Sequence, residues 1–292
     1  MSHSILNQIG NTPLIKSVRL NINPNVNLFF KLEGNNPGGS VKDRAAYNMI
    51  KSALDRGEIT KKSKLIEATS GNTGIALAMI AGIFNLDIEL VMPEKATIER
   101  VQTMRAYGAK VTLHKDGIEG ARDYAMKKVN DEGFFSFNQF GNNDNWMAHY
   151  KTTGPEIWRD TDGLVTHFVS SMGTTGTIMG TSTYLKEKNN AISIVGVQPK
   201  DGVSIPGIRK WPEAYLPKIF NANKVDRIIE VSREEAISMT KRLAKEEGIF
   251  AGMSSGGATV AALKLASELK SGTIVSIICD RGERYLSSNI YE

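Results

Sequence analysis

The chain has 292 residues, 41% hydrophobic and 23% charged, enough apolar material for roughly two cores and too much for a disordered polymer. Its formal charge of +5 comes from basic residues scattered among acids, with no long block of like charge, so small anionic substrates explain the balance better than a nucleic-acid partner. The longest apolar run, 75–84, is far short of the ~20 residues that span a bilayer, the lone Cys279 makes no internal disulfide, and no signal pattern opens the chain, so a reducing cytoplasm and no membrane partner are expected.

Taken in chain order, short apolar runs predict strands at 28–32, 64–67, 88–92, 110–113, 166–170, 193–198 and 273–278. Helical periodicity fills most of the gaps, at 40–56, 72–84, 95–107, 117–131, 175–188, 233–247 and 255–269. This alternation predicts an α/β chain with mainly parallel, buried strands. The Asn/Gly/Asp-rich stretch 141–145 is the expected boundary between two lobes, and the Pro-containing 199–217 reads as a long functional loop.

The first chemically informative segment is Asn35-Asn36-Pro37-Gly38-Gly39-Ser40-Val41-Lys42-Asp43-Arg44. Pro and Gly force a turn, Ser40 is the expected N-cap, and Lys42 falls in the first turn of a helix. Unpaired N–H groups and partial positive charge gather there, which favours a neutral lysine. A neutral amine attacks an aldehyde, and Arg44 is the expected cationic neighbour that lowers its basicity.

Three glycine-rich turns follow. Thr69-Ser70-Gly71-Asn72-Thr73-Gly74 links a strand to an apolar helix, either as an anion-binding turn for a carboxylate or phosphate or as a plain connection. Gly173-Thr174-Thr175-Gly176-Thr177 has the hydroxyls and helix N-terminus to cage a phosphate dianion without a lysine. Its spacing departs from both the Walker A and the dinucleotide patterns, so a cofactor phosphate fits better than a transferred one. Gly252-Met253-Ser254-Ser255-Gly256-Gly257 either faces a ring nitrogen or lets its helix pack closely.

With Ile9-Gly10-Asn11-Thr12-Pro13-Leu14 near the start and Gly282-Glu283-Arg284-Tyr285-Leu286 near the end, these turns resemble those of the fold type II (β-family) pyridoxal 5'-phosphate enzymes, specifically the cysteine synthases, or O-acetylserine sulfhydrylases. Lys31-Leu32-Glu33-Gly34-Asn35-Asn36, Ser204-Ile205-Pro206-Gly207-Ile208-Arg209 and Ile277-Ile278-Cys279-Asp280-Arg281-Gly282 are similar to the B form rather than the A form. The resemblance implies a two-lobed, tryptophan synthase β-like α/β fold, each lobe a mainly parallel sheet flanked by helices. Residues 37–148 would form the smaller, mobile lobe, and 1–36 with 149–292 the larger, phosphate-anchoring one.

It also implies the site. Lys42 would form the internal aldimine, Asn72 would bond the cofactor's ring hydroxyl, Gly173, Thr174, Thr175, Gly176 and Thr177 would hold its phosphate, and Ser254, with Cys279 close by, would face the pyridine nitrogen. Thr69, Ser70, Gly71, Asn72, Thr73 and Gln139 would grip the substrate carboxylate, while Arg209, Cys279 and Asp280 would widen and charge the pocket for a bulkier anion such as thiosulfate or else form a surface salt bridge beside a buried thiol. The implied reaction replaces the acetate of O-acetyl-L-serine with sulfide through an aminoacrylate, in a cytoplasmic homodimer. The alternatives are an O-phosphoserine-using synthase, a cystathionine β-synthase-like enzyme, a dehydratase, or a non-catalytic scaffold of the same fold. His3 lies in an expected frayed end, and His114, His149 and His167, lacking metal-like spacing, read as structural.

Overall fold

Parallel strands leave both faces to be covered by helices, and the computed structural model, which describes residues 4–292, meets that requirement twice. His3 lies outside the described residues. Strands β1 (Leu14–Lys16), β2 (Val26–Leu32), β6 (His167–Ser171), β7 (Ser193–Pro199), β8 (Arg227–Val231) and β9 (Gly272–Ile278) form one sheet in the order β1-β2-β9-β6-β7-β8. Only the β1–β2 pair in it is antiparallel. Strands β3 (Leu65–Ala68), β4 (Ile88–Pro93) and β5 (Lys110–His114) form a second, all-parallel sheet.

The helices are α1 (Lys42–Asp55), α2 (Asn72–Phe84), α3 (Ile98–Ala106), α4 (Gly117–Glu132), α5 (Asn143–Lys151), α6 (Thr153–Asp160), α7 (Gly176–Lys188), α8 (Arg233–Glu247) and α9 (Met253–Glu268). Helix α2 is apolar all round and accordingly buried from Thr73 to Ala81. Helix α8 starts with a capping box in which Ser232 and Glu235 satisfy each other's backbone N–H groups.

Four elements went unpredicted, each for a local reason. Strand β1 is three residues long, and β8 lies at the sheet edge with Arg227, Ile228 and Glu230 exposed, so its apolar run is short. Helices α5 and α6 are brief, polar and interrupted by Thr152, Gly154 and Pro155. The 141–145 stretch contains the cap of α5, where the Asn142 side chain accepts the Asp144 N–H, and α5 packs on both α1 and α7.

Within each sheet the parallel strands run one way, so the turns after β3, β6 and β9 leave at carboxyl ends, where α/β folds gather functional groups. A hydrogen bond from Asn72, after β3, to Asp280, after β9, joins the two sheets at that edge.

Candidate functional site

Lys42 is the first residue of α1, and the turn before it is docked on the end of β9. Val41 N–H donates to the Cys279 carbonyl at 2.8 Å, and Ser40 forms a bridge with Asp280. Ser40 is not the N-cap, which is Val41, because that docking draws the chain into helical geometry one residue late; the Ser40 hydroxyl instead accepts the Lys42 N–H at 3.3 Å. The Lys42 amine has no hydrogen-bond or ion-pair partner among the described residues. Burial draws its pKa below the ordinary lysine value, and the acidic neighbours Cys279, Asp280 and Glu33 oppose that only in part.

Arg44 does not play the part expected of it. Its guanidinium is buried and committed to Glu33 at 2.7 Å and Glu156 at 2.6 Å, and it does not contribute to the Lys42 shift. Desolvation supplies what the arginine was expected to supply. Next door, the buried Asp43 carboxylate accepts the Gly38 N–H at 2.5 Å and fixes the turn, with burial pushing its pKa up to about 7.

Across the cleft, Thr69 Oγ1 accepts the N–H groups of Gly71 at 3.2 Å and Gly74 at 3.3 Å, curling the chain into α2 and leaving the first N–H groups of that helix for a ligand. Thr73 Oγ1 donates to Gln139 Oε1 at 2.7 Å, so the Gln139 amide keeps its own donors. Glu67, buried with no ion-pair partner among the described residues, holds the 136–139 segment in place by accepting from Ser136 Oγ and Phe137 N–H. Asn72 Nδ2 donates to Asp280 Oδ2 at 2.7 Å, and Asp280 Oδ2 also accepts from the Tyr285 hydroxyl at 2.6 Å.

The turn 173–177 closes the other side. Thr175 sits at φ +70°, unusual for a β-branched residue, and its Oγ1 is buried without a partner. A buried orphan hydroxyl at the start of a thirteen-residue helix suits a phosphate oxygen. Asn145 Nδ2 bridges the Gln139 carbonyl at 2.7 Å and Thr174 Oγ1 at 3.2 Å, tying the carboxylate wall to this turn. Gly176 has no room for a side chain, since a Cβ there would overlap the Asn145 amide.

Thr177 Oγ1 lies 3.4 Å from His149 Nε2, and His149 Nδ1 lies 2.9 Å from Thr153 Oγ1. Burial pushes the His149 pKa from 6.5 to about 3, so the ring is neutral and backs the turn by hydrogen bonding alone. Below pH 6.5 the unfolded chain binds a proton that the folded one refuses until about pH 3, so the stability tied to this histidine is present at neutral pH and lost as the pH falls through that window. Urea unfolding at pH 7 and pH 5 should therefore show wild type losing about 2 kcal/mol more than His149→Gln. An equal loss in both proteins would contradict the neutral ring.

Ser254, in the first turn of α9, lies beside the Cys279 thiol, which donates to the Ile277 carbonyl at 3.9 Å, and the Ser254 carbonyl accepts from Ser171 Oγ at 2.7 Å. Burial raises the Cys279 pKa to about 11, which keeps the thiol protonated and out of nucleophilic chemistry. Gly207 packs on Ser254, and Trp211 Nε1 donates to the Gly173 carbonyl at 2.8 Å, so the 199–217 loop covers both turns. Arg209 donates its backbone N–H to Met172 at 2.8 Å while its side chain is exposed.

The structure thus places Asn72, Asp280, Cys279 and Ser254 in a linked row beside Lys42, and joins Thr73 and Gln139 through Asn145 to Thr174, in the same turn as Thr175 and Thr177. It does not join Arg209 to Cys279 or Asp280, and Asp280 is buried under Asn72 and Tyr285 rather than forming a surface salt bridge. Residues 5–280 match the family model described as pyridoxal-phosphate dependent enzyme. Cysteine synthase B of Pseudomonas aeruginosa is 55% identical over 291 residues, covering 99% of this chain and 97% of the relative. Cysteine synthase B of Escherichia coli is 53% identical over 285 residues, covering 97% and 94%. The crystal structure of cysteine synthase from Entamoeba histolytica superposes with a TM-score of 0.94 at 38% identity, covering 100% of this chain and 91% of that one. The family match over residues 5–280 and these relatives, with a desolvated lysine opening α1 and a phosphate-type turn opening α7, establish that the chain belongs to the pyridoxal-phosphate dependent enzyme family.

Proposed function

We propose that this chain makes L-cysteine from O-acetyl-L-serine and sulfide. The observation behind this reading is the Lys42 amine, desolvated and without a partner among the described residues, beside the Cys279–Asp280 corner that adjoins Asn72 on one side and Ser254 on the other. Pyridoxal 5'-phosphate supplies an aldehyde that links to amines and a conjugated ring that accepts electrons as the α-C–H bond breaks. Residues 173–177 would hold its phosphate, Asn72 would donate to its ring oxygen, and the neutral Ser254 would stand at its ring nitrogen. The N–H groups of Ser70, Asn72 and Thr73, which the turn leaves uncommitted while those of Thr69 and Gly71 are used within it, and the amide donors of Gln139 would orient the substrate carboxylate.

Lys42 Nζ then takes the α-proton while acetate leaves the β-carbon. Hydrosulfide bonds to that carbon, and Lys42 returns the proton to Cα, so one acetylserine and one HS⁻ give one cysteine and one acetate. Steady-state assays with acetylserine, O-phosphoserine and serine as donors test the reading. Cysteine formed from phosphoserine in preference to acetylserine would overturn it.

The finer features belong to the same reading. The 37–148 lobe closes on the remainder when substrate binds, and the enzyme is a cytoplasmic homodimer; light scattering at the 32.0 kDa mass of one chain would exclude the dimer. No helix among the described residues is long and apolar enough to cross a membrane. Thiosulfate is a second nucleophile, received by Arg209, whose exposed guanidinium makes no ion pair among the described residues and hangs from a loop pinned to the phosphate turn. Arg209→Ala should lower kcat/KM for thiosulfate about tenfold or more, as a charge-assisted hydrogen bond is worth roughly 1.5–3 kcal/mol, and change that for sulfide less than about twofold. Equal losses with both nucleophiles would assign Arg209 to loop closure instead.

A further inference from the structure

We infer that Arg284 is the positioning residue that sets the Asn72 amide toward the cofactor, by bonding the Asn72 turn and the Lys42 turn through one guanidinium. This rests on the reading of Asn72 given above and extends it to a residue outside the turns. Arg284 Nη1 donates to Asn72 Oδ1 at 2.5 Å, and Nη2 donates to the Gly38 carbonyl in the turn that ends at Lys42. On its far side Asn72 Nδ2 donates to Asp280 Oδ2 at 2.7 Å.

A side-chain amide offers one acceptor oxygen and two N–H donors. Turned over, the Asn72 amide would set its NH₂ group against guanidinium donors and its oxygen against a carboxylate, which are two repulsions in a half-buried place. Arg284 and Asp280 together therefore admit one orientation. In it, one N–H of Nδ2 is committed to Asp280 and the second is left for a ligand. A cationic donor on Oδ1 also polarises the amide and strengthens that remaining N–H as a donor.

The surroundings are shaped around this guanidinium. Gly39 has φ +80°, and a Cβ there would collide with Arg284 Nη2. The backbone that bears Arg284 is strapped to the segment beginning α3, where Thr97 Oγ1 donates to the Arg284 carbonyl at 3.1 Å and the Glu99 carboxylate accepts from Ser287 N–H at 2.9 Å and Ser287 Oγ at 2.8 Å. The neighbouring Tyr285 ring stacks under Arg100, 4.8 Å from its guanidinium carbon. The fork thus starts from a fixed backbone and reaches two turns that lie far apart in sequence.

The experiment compares holoenzymes of Arg284→Met, Arg284→Ala and Asn72→Ala by the absorption spectrum of bound pyridoxal phosphate and by its release on dialysis. Both Arg284 variants should move the absorption maximum in the same direction as Asn72→Ala and release the cofactor about tenfold faster than wild type. The double variant Asn72→Ala/Arg284→Met should shift no further than Asn72→Ala alone, because the two residues act through one contact. Alanine tests the same loss of donors if methionine is not accommodated. An Arg284 variant that melts earlier but keeps the wild-type spectrum would overturn the proposal and make Arg284 a strap only. If Asn72→Ala, with Arg284 intact, leaves the spectrum unchanged, the placement of Asn72 at the cofactor is wrong and the positioning role falls with it.

Discussion

Lys42→Ala should lose at least about a thousandfold in turnover while remaining folded. The same amine is asked both to hold the cofactor and to move the α-proton, and a positioned acid–base group alone contributes about 10²–10⁴-fold. Stability should not fall, because Nζ bonds nothing among the described residues and a desolvated amine without a partner is itself unfavourable. Borohydride reduction followed by peptide mapping checks the assignment. The pyridoxyl label should sit on the peptide containing Lys42 in wild type and be absent from the variant, and a label on any other lysine would refute it.

Thr175→Gly should have two effects of opposite sign. A threonine at φ +70° holds its backbone at a cost of the order of 1 kcal/mol, which glycine relieves, so the cofactor-free protein should gain about that much stability. The substitution also deletes the one hydroxyl in the turn that is buried and unpaired, and hydrogen bonds to a charged phosphate are worth about 1.5–3 kcal/mol, so cofactor affinity should drop about tenfold or more. Unfolding of the cofactor-free form and equilibrium dialysis of pyridoxal phosphate measure the two effects separately. A destabilised variant that retains cofactor normally would show that the strain serves the fold and not the ligand.

What the sequence discloses and what it hides divide along physical lines. The strands of the two sheets were legible where they are buried on both faces, because burial demands continuous apolar runs, as at β4 and β9. The edge strand β8 was hidden because water covers half of it. Within the site, the turns were legible because glycine, serine and threonine next to a helix start have few other uses. The contacts between turns were not. Asn145 joins Gln139 to Thr174, and Arg284 joins Asn72 to Gly38, across separations that no local spacing marks.

Arg44 shows the converse error. Its position two residues after Lys42 suggested a cationic neighbour, yet three-dimensional packing gave it Glu33 and Glu156 and left burial to depress the lysine. His149, read as structural from the absence of metal-like spacing, is buried and neutral but stands directly behind Thr177, a support role visible only once α5 is placed against α7.

The central claim, that this chain exchanges acetate for sulfur at one carbon with Lys42 carrying the proton, is tested most directly by separating the two halves of the reaction. Holoenzyme mixed with O-acetyl-L-serine in the absence of sulfide should release one acetate per active site in a burst and then stop, and sulfide added afterwards should release one cysteine per site and restore the starting cofactor spectrum. Acetate release that occurs only when sulfide is already present would contradict the account.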